Sequence, residues 1–125
     1  MTIDKIASKY GSQFYFVFRL LVGLMFFVHG SYKVLGWFGG TAQAFGTMFW
    51  FAGAIEIVVG ILVLVGFMTR WAAAVATIEM LAAWFIVHAK SGWNPLANGG
   101  EPAVLFFAAF LVLVAHGAGK WAIDK

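Results

Sequence analysis

Three ionisable residues lie well inside long apolar segments of this 125-residue chain: Arg19, Glu56 and Glu79. A charge is costly in hydrocarbon, so an ionisable side chain at such a position marks a functional or structural site. The depths of the three residues within their segments permit one intramembrane cluster, in which Arg19 meets Glu56, Glu79 or both. Two interpretations stay open: a buried ion pair that fixes helix packing, or a polar pocket for a quinone head group or a proton path.

A second set of polar residues lies near the opposite ends of the same segments. His29 and Lys33 are four residues apart and therefore share a helix face, while His88 and Lys90 lie at a similar height in another segment, and Glu101 begins the last one. Histidine and lysine can donate hydrogen bonds to a quinone carbonyl, and reduction of a quinone requires nearby proton carriers. We predict a ligand or quinone site from these residues; the alternative is ordinary anchoring of helix ends at the membrane surface.

Other cofactor chemistry has little support in the sequence. His29 and His88 could together ligate a b-type haem, but two histidines in four segments are a weak signal. The chain has no cysteine, which excludes thiolate ligands and disulfides of its own. No HxxxH or HExxH spacing occurs, so a zinc site is not expected. We predict no cofactor held by this chain alone and take quinone as the candidate ligand.

The segments that must position these residues are four apolar blocks of nearly membrane-spanning length. The chain is 63% hydrophobic and only 10% charged, a balance that a soluble domain of this size could not accommodate. A helix needs about 20 apolar residues to cross a bilayer. The pattern predicts an all-α, single-domain bundle over residues 1–125, with transmembrane helices at about 14–35, 48–68, 71–88 and 103–121.

The distribution of lysine and arginine predicts the orientation of the bundle. With both termini in the cytoplasm, the inner flanks hold more basic residues than the outer flanks, as the positive-inside rule requires. We therefore expect a multi-pass protein of a bacterial or archaeal-type inner membrane. The net charge of +3 is spread singly along the chain, so lipid is the expected partner and nucleic acid is not. The inner set is Lys5, Lys9, Arg70, Lys120 and Lys125, and the outer set is Lys33 and Lys90.

Several short motifs, in their order and spacing, resemble one known family. They are RLLVG at 19–23 with HGSYK at 29–33, GAIEIVVGILVLVGFMTR at 53–70, GGE at 99–101 and GAGKWAID at 117–124. Together they are similar to the DoxX family, and the similarity covers nearly the whole chain. The resemblance implies a small integral membrane protein of four helices.

The same resemblance implies a function only in outline. Some DoxX members are similar to subunits of thiosulfate:quinone oxidoreductase, and others are linked to membrane oxidoreductase complexes. The expected function is a subunit of a quinone-linked oxidoreductase that binds quinone or anchors a redox partner. Because the chain carries no evident redox centre, its electrons would have to come from a partner subunit, and catalysis by this chain stays open. The alternatives are a non-catalytic accessory or scaffold subunit and, third, a small transporter acting as a homo-oligomer.

Overall fold

The computed structural model describes residues 2–125, which form an all-α bundle. Among these residues, three helical segments are long and apolar enough to cross a membrane, and a shorter apolar helix follows them. The predicted membrane helix bundle is thus confirmed, and its outward apolar side chains contact lipid. The helices are α1 (Ile3–Val34), α2 (Met48–Val65), α3 (Thr69–Ala83), α4 (Pro95–Asn98) and α5 (Glu101–His116); α3 continues through a π turn (Trp84–His88) and a 3₁₀ turn (Ala89–Ser91).

Two helix ends differ from those expected from apolarity. Helix α1 begins at Ile3 rather than near Phe14, because the Thr2 side chain caps its first turn through the backbone N–H of Lys5 (3.3 Å). At 1.5 Å per residue it is about 48 Å long, so its polar first turns extend beyond a ~30 Å hydrocarbon core. Helix α5 ends at His116 rather than near Trp121, because Gly117 turns the chain with a φ of 74°.

Glycines set the register between α1 and α2. A Cβ on Gly23 would lie 2.9 Å from the Gly60 carbonyl oxygen, and one on Gly30 would lie 2.5 Å from the Gly53 carbonyl oxygen. The two helices are therefore antiparallel and in backbone contact at both levels, as small residues allow in membrane helices. This contact holds α1 and α2 at a fixed height relative to each other, and so fixes the heights of their polar residues.

The remaining helices complete the bundle around an apolar core. Gly66, in the left-handed conformation, ends α2, and α3 begins three residues later as its antiparallel neighbour. Helix α5 packs mainly on α3, while α1 meets α5 chiefly through aromatic contacts of Phe26. The buried core is made of Phe26, Val59, Val63, Ala72, Ala73, Ala76, Met80, Ala103, Phe110 and Leu113.

Candidate functional site

Arg19 does not join the two glutamates with which the sequence grouped it. Its guanidinium donates hydrogen bonds to the carbonyl oxygens of Ala118 (2.6 Å), Lys120 (2.9 Å) and Trp121 (2.9 Å). The α1–α2 register explains the correction: Arg19 lies level with Leu64, whose carbonyl is 3.5 Å away, whereas Glu56 precedes Leu64 by eight residues in α2, about 12 Å by helical rise. Arg19 is buried, with 1% of its surface exposed, and holds the chain that follows α5.

That chain, residues 117–125, folds back over the turn between α2 and α3, and we call it the C-terminal clasp. The Tyr15 hydroxyl donates to the Gly117 carbonyl. The Asp124 carboxylate accepts hydrogen bonds from the backbone N–H groups of Met68 (2.8 Å) and Thr69 (2.9 Å). Since the Met68 side chain makes no capping hydrogen bond, Asp124 supplies from a distance the acidic cap that the start of α3 requires.

The environment of Asp124 also affects its protonation. Burial acts to raise the pKa of this carboxyl, but the hydrogen bonds from Thr69 and Met68, with the positive charge of Arg19, outweigh burial and lower the pKa. Asp124 was not among the predicted site residues, although it lies in the GAGKWAID tail motif. The sequence shows the tail motif but not the residues that Asp124 contacts, because no sequence rule pairs a tail carboxylate with a helix start more than 50 residues away.

Glu56 pairs with Lys33, a residue that the sequence had assigned to the other cluster. The Lys33 Nζ lies 2.7 Å from both carboxylate oxygens of Glu56. Glu56 is 1% exposed and Lys33 26% exposed, so the pair bridges α1 and α2 just inside one end of the bundle. Such a pair in a low dielectric needs close geometry to offset its desolvation, and the two short contacts provide it.

Glu79 completes this group without a protein donor of its own. Its Oε1 is buried and has no hydrogen-bond partner among residues 2–125. Lys33, Glu56 and Glu79 together form the polar group at this end of the bundle.

These three residues line the wall of a cavity of about 430 Å³ between α1, α2, α3 and the start of α5. The rest of the wall is mostly apolar, with aromatic side chains such as Phe26, Phe49 and Phe106. Its volume and its mixture of apolar walls with a few polar groups are typical of sites for small organic ligands. Among residues 2–125, no three His, Cys, Asp or Glu side chains are grouped as metal ligands.

Both predicted histidines line the same cavity. His29 of α1 packs edge-on against Phe106, with the ring centroids 5.2 Å apart. His88 closes the π turn and its Nδ1 lies 3.2 Å from the Asn98 carbonyl oxygen. A π turn widens a helix by one residue and is often found at functional sites. Here it carries Ile86, Val87 and His88 into the cavity wall, a feature for which the sequence offers no signal.

The other two predicted residues lie outside the cavity. Lys90 is exposed in the 3₁₀ turn, and Glu101 is exposed in the first turn of α5. Glu101 instead borders a shallow groove between α1 and α5, which shares His29 and Phe106 with the cavity wall. The structure thus brings together His29, Lys33, Glu56, Glu79 and His88, merging parts of two predicted clusters into one site.

These features define a class: a small helical membrane protein with a polar site inside an apolar cavity. The DoxX family model matches residues 14–89, so the chain belongs to the DoxX family. It is similar to an uncharacterized protein of Haemophilus influenzae, with 40% identity over 94% of this chain and 93% of the relative.

More distant relatives cover most of the chain as well. An uncharacterized membrane protein of Mycobacterium tuberculosis is 29% identical over 86% of this chain and 77% of its own length. A Bacillus subtilis protein, provisionally named as the oxidoreductase CatD, is 30% identical over 85% of this chain and 81% of its own length. No solved structure matches the chain.

Proposed function

We propose that this protein is a membrane subunit of a quinone-linked oxidoreductase complex and that its cavity binds the quinone ring. The observation that carries the proposal is the cavity itself, in which Lys33, Glu56 and Glu79 face aromatic and aliphatic walls. A quinone ring is flat and apolar with two polar oxygens, and this wall offers both kinds of contact. The provisional oxidoreductase name of the Bacillus subtilis relative supports the same reaction class.

The polar residues match what a membrane quinone site requires. His29 can donate a hydrogen bond to a ring oxygen, and the carboxyl groups of Glu56 and Glu79 can exchange protons with the ring. Electrons would come from a partner subunit, so the chain supplies binding and protons rather than the redox centre. The partner subunit is itself part of this proposal.

The first test uses two alanines of α2 that are both half-buried. Ala52 lines the cavity, and Ala54 lies in a separate groove on α2. The tagged protein is purified gently from its native membrane, and extracted quinone and co-purifying proteins are measured by mass spectrometry. We expect quinone with the unchanged protein and with Ala54→Phe, but little with Ala52→Phe. Absence of quinone from all three preparations, or equal amounts in all three, would contradict the proposal.

A second candidate function is an accessory or scaffold subunit without a ligand. The observation that favours it is the Lys33–Glu56 pair, whose charges neutralise each other and whose contact joins α1 to α2. A purely structural pair would be needed for assembly rather than for activity. Glu79→Gln keeps the size of the side chain and leaves this pair in place, so an assembled complex that has lost quinone turnover would exclude the scaffold function.

We also propose an inner-membrane location with both termini in the cytoplasm. The basic residues at the ends of the helices support this orientation. Because the chain has no cysteine, a single cysteine introduced at Ser8 or at Gly39 gives an unambiguous label site. We expect an impermeant thiol reagent, added to intact cells, to label the cysteine at position 39 and not the one at position 8. The reverse pattern would invert the orientation.

A further inference from the structure

The groove between α1 and α5 lies next to the cavity and has a similar volume, about 480 Å³. His29, Pro102 and Phe106 line both spaces, so the groove and the cavity meet at these side chains. The His29 ring stands edge-on to the Phe106 ring there, with the centroids 5.2 Å apart. The two rings belong to helices that pack much less closely than α1 and α2 do. Rotation of either side chain can therefore join the two spaces.

From this junction the groove runs along the helices toward the opposite end of the bundle. Its α1 wall extends from His29 back to Leu21, about 12 Å by helical rise, and its α5 wall reaches Ala109. The Leu21, Met25 and Leu105 side chains of these walls are roughly half exposed and apolar. The groove thus offers an apolar surface that lies parallel to the lipid chains and begins at the cavity.

The polar residues of the groove favour one kind of occupant. In the described part of the chain they are His29 and Glu101, both at the end near the cavity. A phospholipid in this groove would bring its phosphate close to the acidic Glu101, and like charges repel each other. An apolar chain that is attached to an uncharged ring in the cavity brings no such charge. The groove therefore fits the chain of a cavity ligand better than that of a phospholipid.

We propose that the groove between α1 and α5 holds the apolar tail of the ring ligand, which leaves the cavity past His29 and Phe106. The ligand class is then a lipid-soluble ring with one long apolar chain. This inference rests on the proposed function, because the ring must occupy the cavity. The competing position for the tail is the groove between α2 and α3, which among residues 2–125 shares only Ile55 with the cavity wall.

The test locates the tail on the purified full-length protein in lipid nanodiscs. A tail that moves from lipid into an apolar groove gains no hydrophobic free energy, so its position is a sharper readout than its affinity. The probe is a benzoquinone whose alkyl tail carries a diazirine, which light attaches to the residues that the tail touches. Peptide mass spectrometry identifies those residues.

Two further ligands separate bound probe from probe in the bilayer. An excess of the same quinone without a tail displaces the probe ring from the cavity, so the labels that it removes belong to bound probe. An alkyl alcohol with the same diazirine but no ring gives the labelling from lipid alone. We expect the removable labels on Leu21, Met25 and Leu105.

Matched variants test whether the groove guides the tail. Met25→Trp fills the groove, and Leu24→Trp is its control: Met25 is 47% exposed and Leu24 46%, but Leu24 lines neither the groove nor the cavity. Ala109→Phe, in the groove, and Ala108→Phe, outside it, repeat the comparison on α5. We expect the removable label on Leu105 to fall about tenfold in the two groove variants, the effect of about 1.4 kcal/mol of steric cost, and to stay unchanged in the controls.

The outcomes separate this inference from the proposed function. Removable labels on Val58 and Val75, which line the groove between α2 and α3, would overturn the tail position while ring binding stands. Equal labelling of Leu105 in Met25→Trp and in its control would do the same. If the excess quinone removes no label, no ring is bound, and the proposed function fails together with this inference. If Met25→Trp does not fold, Ala109→Phe and the label map of the unchanged protein decide.

Discussion

Replacing Arg19 tests the main departure of the structure from the expected polar cluster. In the structure the guanidinium holds the C-terminal clasp through three short hydrogen bonds to carbonyl oxygens, of 2.6, 2.9 and 2.9 Å. The substitution Arg19→Met removes the charge and the donors while keeping an apolar stem of similar length. We expect it to release the clasp from the start of α3 and to destabilise the bundle at that end.

The magnitude follows from the number and type of the lost contacts. A hydrogen bond from a charged donor contributes about 1.5–3 kcal/mol net, so three such bonds set an upper range of about 4.5–9 kcal/mol. The Lys120 and Trp121 residues are exposed, so water can replace part of what their carbonyls lose. We therefore expect Arg19→Met to lower the free energy of unfolding by about 3–5 kcal/mol. Arg19→Lys, which keeps the charge but not the planar fork, should lose about half as much.

The assay is reversible unfolding of the purified protein by SDS in mixed micelles, followed by tryptophan fluorescence. Lys5→Met is the control, since it removes an exposed cation of α1 whose side chain makes no hydrogen bond in the described part of the chain. The double variant Arg19→Met/Glu56→Gln completes the test. The two residues share no partner, so their effects should add to within about 0.5 kcal/mol.

Two results would refute this reasoning. A loss for Arg19→Met no larger than that for Lys5→Met would mean that the clasp contacts contribute nothing. A coupling between Arg19 and Glu56 above about 1 kcal/mol would restore the single cluster expected from the sequence. Limited proteolysis gives an independent readout, because the clasp of Arg19→Met should be cut faster than that of the unchanged protein.

Three further perturbations have defined outcomes. Lys33→Met should lower the free energy of unfolding by about 2–3 kcal/mol, because it leaves the buried Glu56 carboxylate without its partner. The double variant Lys33→Met/Glu56→Gln should lose less stability than the sum of the single variants, because it also removes that unpaired charge. SDS unfolding measures both effects. Gly60→Ala places a Cβ 2.6 Å from a backbone nitrogen of α1 and should cost about 1–3 kcal/mol, whereas Gly11→Ala, with no atom within 4 Å of its Cβ, should be neutral or stabilising. Burial raises the pKa of Asp124, but the hydrogen bonds from the start of α3 outweigh burial and lower the pKa. The stability that ionised Asp124 gives the folded protein is therefore present above the unfolded pKa of about 3.9 and is lost as the pH falls through the folded pKa. Thermal unfolding should show that acid loss in the unchanged protein and not in Asp124→Asn; identical acid profiles would show that the cap is not formed.

Much of the fold follows from one-dimensional patterns. Apolar blocks of nearly spanning length can be stable only as helices in lipid, since every backbone group must find a partner within its own segment. Gly66 and Gly117 end helices through backbone geometry that glycine adopts easily, but the apolar blocks continue past both glycines to about 68 and 121, so apolarity alone misplaced these two ends. The start of α1 could not be placed from apolarity, because the cap at Thr2 and the helical residues after it are polar.

The candidate site was predicted in its residue types and not in its grouping. His29, Lys33 and His88 were expected near one end, and all three line the cavity. Glu56 and Glu79 were expected deeper and with Arg19, but Glu56 pairs with Lys33 and Glu79 lines the same cavity. The error arose because the depth of each residue in the membrane was estimated from its own segment alone. Such a depth does not reveal how far the side chain extends or which neighbouring helix it contacts.

The sequence by itself determined that this chain is a helical membrane protein, which apolar segments form its long helices, and which ionisable residues must find partners inside it. Those properties depend on the solvent and on local backbone geometry. Only the tertiary structure decided the partners. Backbone contact at two pairs of glycines sets α1 against α2 in one register, and that register places Arg19 on the clasp and Lys33 on Glu56, because partners in a low dielectric are chosen by distances of a few ångströms.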